Sequence, residues 1–70
     1  MSGEPVPAGQ VRQGDRIAYD GRVFTVTADP AGAWYHENGE LVCGVAIIAA
    51  DGSARWTLYR QPHDILHRVP

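Results

Sequence analysis

Three histidines, one cysteine and eight carboxylates are the residues of this 70-residue chain whose types and spacing could do chemistry. His63 and His67 lie four apart, so on a helix they would share a face and offer two imidazoles to a divalent metal, with His36 as a third. Pro62 and the shortness of the segment argue against a stable helical turn there, and no cysteine or carboxylate accompanies the pair at ligand spacing. These two histidines are therefore read as exposed or capping residues, and His36 as a partly buried strand residue. Cys43 beside a histidine could form an activated thiolate. Its strand register instead puts it on the core face opposite Trp34, as a small hydrophobe.

The carboxylates give no acid–base pair. Glu37 and Glu40 flank an Asn38-Gly39 turn, and Asp20 and Asp51 are turn residues themselves, so turn chemistry accounts for all four. The glycines are scattered among turns rather than gathered into a phosphate-binding loop. No catalytic residue, metal or cofactor is assigned, and the chain is read as non-enzymatic.

The elements around these residues are those of one small domain. Apolar residues make up 44% of the chain and charged residues 20%, which excludes a disordered polyelectrolyte. A chain of this length buries only about 60% of its unfolded surface, so its core must be used efficiently. All six basic residues are arginine and the formal net charge is −2, so there is no global positive field to attract a polyanion. Arginine without lysine, among abundant alanine and glycine, reads as the bias of a GC-rich bacterial genome. A single cysteine excludes an internal disulfide and fits a reducing compartment. The first ten residues have neither the basic nor the apolar stretch of a signal peptide, and the longest apolar run, residues 45–50, is too short to span a bilayer. The expected location is the cytoplasm, without membrane contact.

Residues 1–10, with two prolines and two glycines, are read as a flexible lead-in to a single domain over 11–70. Three dipeptides, Asp20-Gly21, Asn38-Gly39 and Asp51-Gly52, punctuate that domain. Each is flanked by β-favouring residues and signals a two-residue hairpin turn with positive φ at both centres. Strands are expected at 15–19, 22–28, 33–37, 40–50 and 53–59. A single turn of 3₁₀-helix is expected over 62–66, anchored by Ile65 and Leu66 and followed by a short extended piece at 67–69.

A two-residue turn dictates register, and register dictates faces. The first turn pairs Ile17 with Phe24 and gathers Ile17, Tyr19, Phe24 and Val26 on one side. The third pairs Ile47 with Trp56, Val45 with Leu58 and Ala49 with Ala54. The second pairs Trp34 with Cys43 and His36 with Leu41, extending the same core face. The strand 40–50 is long for so small a domain, and Gly44 inside it suggests a bend or bulge. The expected fold is all-β: a small five-stranded antiparallel barrel.

The stretch from Val11 to Val26, with Gly14-Asp15-Arg16, Tyr19-Asp20-Gly21 and Phe24-Thr25-Val26, resembles the opening hairpin of SH3-like barrels. It is most similar to the accessory β-barrel near the C-terminus of Mu-type transposases. The resemblance covers about the first third of the domain and implies an SH3-like barrel and a nucleic-acid-associated context. It implies no strand-transfer activity, because the chain has none of the carboxylate triad that performs it.

By parity Tyr35, Val42, Ile48, Arg55 and Tyr59 fall on the side away from the core. Aromatic and aliphatic residues with an arginine have the composition of a protein interface, and this set is the candidate interaction surface. The leading expectation is a module that binds a protein partner or itself, by that face, by the strand 41–50 or by an edge near Trp34. The alternative is an accessory nucleic-acid-binding barrel, in which the aromatics stack on bases while Arg16, Arg22 and Arg55 meet phosphates.

Overall fold

In a computed structural model, residues 3–70 are described. The chain runs β1 (Glu4–Pro7), a 3₁₀ turn η1 (Ala8–Gln10), β2 (Arg16–Tyr19), β3 (Arg22–Val26), β4 (Ala31–Glu37), β5 (Glu40–Ala50), β6 (Arg55–Arg60) and β7 (Ile65–Val69). All pairings are antiparallel, in the order β1-β7-β2-β3-β5-β4, with β6 on the other side of β5. Among the described residues, no helix is long and apolar enough to cross a membrane.

The five-stranded closed barrel is corrected to seven strands in a sheet that is not closed. β1 pairs only with β7 and β6 only with β5. The chain just after β1 is held to the β6–β7 loop: the Ala8 and Gly9 amides donate to the Asp64 and Pro62 carbonyls at 2.7 and 3.0 Å, continuing the β1–β7 pairing. The expected lead-in over 1–10 differs in the same way. Met1 and Ser2 lie outside the described residues, but from Glu4 the segment is built into the sheet, with Val6 and Ala8 in the core. Alternation explains it: in Glu4-Pro5-Val6-Pro7 only Val6 points inward, opposite Leu66, and both prolines sit on an edge strand where proline is tolerated.

The 3₁₀ turn expected over 62–66 is also corrected. A turn closed by the Asp64 amide on the Gln61 carbonyl at 3.0 Å leads straight into β7. Ile65 and Leu66 therefore alternate, Leu66 buried and Ile65 55% exposed, rather than anchoring together.

Two turns hold as read. Asp20 and Gly21, and Asn38 and Gly39, have positive φ, and their registers pair Ile17 with Phe24 and Trp34 with Cys43. The third loop is wider. The Asp51 carboxylate Oδ1 accepts from the Ser53 amide, the Ser53 hydroxyl and the Ala54 amide, so residues 51–54 all lie in the loop. Ile47 consequently pairs with Leu58 and Ala49 with Trp56. This register is two residues from the expected one, and a shift of two leaves every side chain on its expected face.

The core accordingly joins Val6, Ala8, Val11, Ile17, Val26, Ile47, Leu58 and Leu66, with Tyr19 and Val45 packed against it. Phe24 is buried too, and its ring lies 4.7 Å from that of Trp56. Arg68 ties the N-terminal strand to this body by bonding Glu4 and lying 3.6 Å from Asp15.

Candidate functional site

The β4–β5 hairpin is longer than the sheet that supports it. On β5, β6 pairs with residues 45–50 and β3 with Ala49 and Ala50, so among the described residues Glu40–Gly44 have β4 as their only strand neighbour. This overhang corrects the expected continuous core face. Trp34 is 68% exposed and Leu41 59%, and Cys43 and His36 are exposed with them. Their register is as expected, but no second layer lies against that end of the hairpin. Cys43 is thus neither a buried structural cysteine nor a member of any group of three or more His, Cys, Asp or Glu placed to hold a metal among the described residues.

Burial on β5 changes sides within the overhang. Gly44 is buried on the even side, whereas Ile47 and Ala49 are buried on the odd side. The register runs without interruption from Ala31–Ala46 to Glu37–Glu40, so Gly44 marks no bulge. It marks a close approach: a Cβ there would collide with the Arg60 carbonyl and lie 2.7 Å from the Tyr35 ring.

The five candidate residues share one face of β4, β5 and β6, strung along its length rather than gathered at one point. Tyr35 is directly opposite Val42, and its ring lies 5.5 Å from that of Tyr59, the two planes tilted by 37°. Ile48 sits opposite Thr57, and Arg55 opposite Ala50, at the other end of the strand. Eight residues of strand separate Val42 from Ala50, roughly 27 Å. Ala46 is opposite Tyr59 and Thr57 opposite Ile48, so Tyr59 and Ile48 are diagonal neighbours and the small side chains beside them leave the face flat.

Tyr35, Val42 and Ile48 are half-buried in this set. The Tyr35 hydroxyl is buried without a hydrogen-bond partner, and loss of hydration, helped by the carboxylates of Glu37 and Asp64, pushes its pKa above the ordinary phenol value. Gln61 reaches over the same end and donates to Glu37 Oε1 at 3.2 Å. Tyr59, 45% exposed, is the accessible half of the aromatic pair.

The arginines are dispersed. Arg22 lies 3.5 Å from Asp51, Arg68 binds Glu4, and Arg16 donates to the Pro70 carbonyl. Arg12 donates to the Gly9 and Val11 carbonyls, and Arg60 to the Tyr59 carbonyl and the Tyr19 hydroxyl. Arg16, Arg22 and Arg55 therefore belong to three different strands and two have local partners. Sequence reasoning missed Trp34 and Leu41 as surface residues. The available signal was the length of the strand 40–50 against its shorter neighbours.

No protein-family model, no curated protein and no solved structure matches this chain.

Proposed function

We propose that the chain is a small non-enzymatic interaction module of the cytoplasm, binding a protein partner or itself through the surfaces of the β4–β5 hairpin and of β6. The observation that carries this reading is the exposure of Trp34 and Leu41 on a hairpin that projects beyond the core. A tryptophan in water at the tip of a marginally sized domain leaves unburied one of the largest apolar side chains available. Residues of this type dominate binding energy when a partner covers them. The Tyr59, Ile48 and Arg55 face adds a second, flatter surface of interface composition.

The same reading takes β2 to β6, the five strands expected from the sequence, as an SH3-like unit to whose β2 edge β7 and β1 are added. Binding of nucleic acid is the alternative. The dispersal of the arginines and the net charge of −2 favour protein over it.

Solution mass by light scattering, at several protein concentrations and two salt concentrations with and without a mixed nucleic-acid pool, separates the two. Association that is insensitive to salt and to nucleic acid supports the proposed module. A monomer whose mass rises only with nucleic acid at low salt would replace it with the alternative.

A further inference from the structure

Of the three strands at the margins of the sheet, two are blunted and one is not. β1 carries Pro5, Pro7 and Glu4, and β6 is bracketed by Arg55 and Arg60; prolines and charges are what discourage a sheet edge from pairing with another chain. β4 is Ala-Gly-Ala-Trp-Tyr-His-Glu: seven residues with no proline and, up to His36, no acidic or strongly basic side chain. β5 offers less: over 45–50 it is paired with β6 on one side, while its other side is taken by β4 at Val45 and Ala46, by the Thr27 amide at the Ile48 carbonyl and by β3 at Ala49 and Ala50. On the open β6-side edge of Glu40–Gly44 only Leu41 and Cys43 direct backbone groups outward.

The turn determines which backbone groups of β4 face outward. A two-residue turn with positive φ at Asn38 and Gly39 makes its flanking residues, Glu37 and Glu40, a hydrogen-bonded pair. Pairs then alternate along the hairpin. Glu37, Tyr35, Ala33 and Ala31 direct their N–H and C=O groups to β5, and His36, Trp34 and Gly32 direct theirs to the free edge.

Those three residues are self-complementary. In an antiparallel pair centred on Trp34, Gly32 lies opposite His36 of a second copy, Trp34 opposite Trp34, and His36 opposite Gly32. Each is a hydrogen-bonded pair, so all six outward groups of each strand are satisfied. A two-fold centred on Ala33 or Tyr35 uses only two of the three residues, because Pro30 has no N–H and Asn38 belongs to the turn. The central register also opposes no like charges, since Glu37 falls opposite Ala31. It sets the two tryptophans side by side, flanked by Cys43 of each copy, on the face where Trp34 and Leu41 are exposed.

We infer that two copies of this chain pair through β4, antiparallel about a two-fold axis at Trp34, joining their sheets into one. The inference rests on the interaction-module reading and specifies its partner as a second copy. A pair of tryptophans and one strand contact bury an area at the low end of specific interfaces, below about 1,200 Å². The dimer is accordingly weak, forming in the range of roughly 10 μM to 1 mM.

Amide hydrogen exchange across that concentration range, with sedimentation equilibrium on the same samples, tests it. The expected result is a rise in mass towards the dimer, with protection rising at the Gly32, Trp34 and His36 amides and unchanged at Ala33, Tyr35 and Glu37, which already bond to β5. Trp34→Lys, which sets two like charges opposite each other, and His36→Pro, which removes an outward N–H and spares the β4–β5 ladder, each weaken the dimer at least tenfold. Tyr59→Arg, on the other face, does not. A monomer at all these concentrations overturns the inference. A dimer abolished by Tyr59→Arg and indifferent to both β4 variants also overturns it, while leaving the interaction-module reading in place.

Discussion

The Tyr35 ring meets the Tyr59 ring at 5.5 Å across β5 while lying over Gly44, whose missing side chain leaves room for it. The contact couples three strands at the root of the projecting hairpin, and it makes Gly44 the position at which the overhang is most easily disturbed.

Gly44→Ala should destabilise the fold by about 1–3 kcal/mol, the usual cost of overpacking a closed site. The added methyl meets the Arg60 carbonyl as well as the Tyr35 ring, so the double variant Gly44→Ala with Tyr35→Ala should not recover the loss. Urea unfolding of the three proteins checks this; a single variant as stable as the parent would refute the close approach.

The neighbouring isoleucines should differ sharply. Ile47 is fully buried, and Ile47→Ala should cost about 2–5 kcal/mol. That is a large part of the roughly 4–10 kcal/mol available to a domain of this size. Ile48 lies on the opposite face, half-buried, and its truncation should cost about 1 kcal/mol or less. Equal losses in thermal or urea unfolding would contradict the face assignment of β5.

Replacement of Val6 by aspartate tests whether the N-terminal strand is part of the body. Val6 is 4% exposed opposite Leu66, so Val6→Asp should destabilise by about 2 kcal/mol or more. An unchanged unfolding midpoint would mean that β1 does not contribute to the folded state.

The Asp51 carboxylate should add an acid limb to stability. Hydrogen bonds from the Ser53 amide and hydroxyl, then from the Ala54 amide, lower its pKa below the usual 3.8. The folded state therefore binds its proton less readily than the unfolded chain does. Its contribution is present above the unfolded value and is lost as pH falls through 3.8 towards the lower folded value. The stability difference between the parent and Asp51→Ala, measured by urea unfolding at neutral pH and in acid, should be present at the first and vanish at the second. A pH-independent difference would exclude the carboxylate's ionisation as its source.

Tyr35 should act at the alkaline end. Its raised pKa keeps the phenol protonated in the folded state when the unfolded chain has begun to ionise, so stability declines as pH rises above 10.0 through the folded value. Ultraviolet titration should show a late phenolate step that Tyr35→Phe removes, and that variant should not lower stability at neutral pH. A loss of stability in that variant would mean that the hydroxyl has a partner.

Local chemistry by itself determined the β class, two of the three hairpins and the inward sets Ile17, Phe24, Val26 and Ile47, Ala49, Leu58. Asp20-Gly21 and Asn38-Gly39 adopt positive φ with little strain, and a two-residue turn then imposes the register on its flanking strands. The side-chain requirements of Asp51 widened the third loop, yet the two-residue shift preserved parity, so the faces survived an error in the pairing. The common face of Tyr35, Val42, Ile48, Arg55 and Tyr59 was legible for the same reason. What lies against each face was not, because burial depends on elements distant in the chain. Val6 is inside because β7 returns beside β1, and Trp34 is outside because its end of the hairpin projects beyond the rest of the sheet. Period-two alternation distinguishes one side of a strand from the other, and only the tertiary arrangement decides which side has a second layer to cover it.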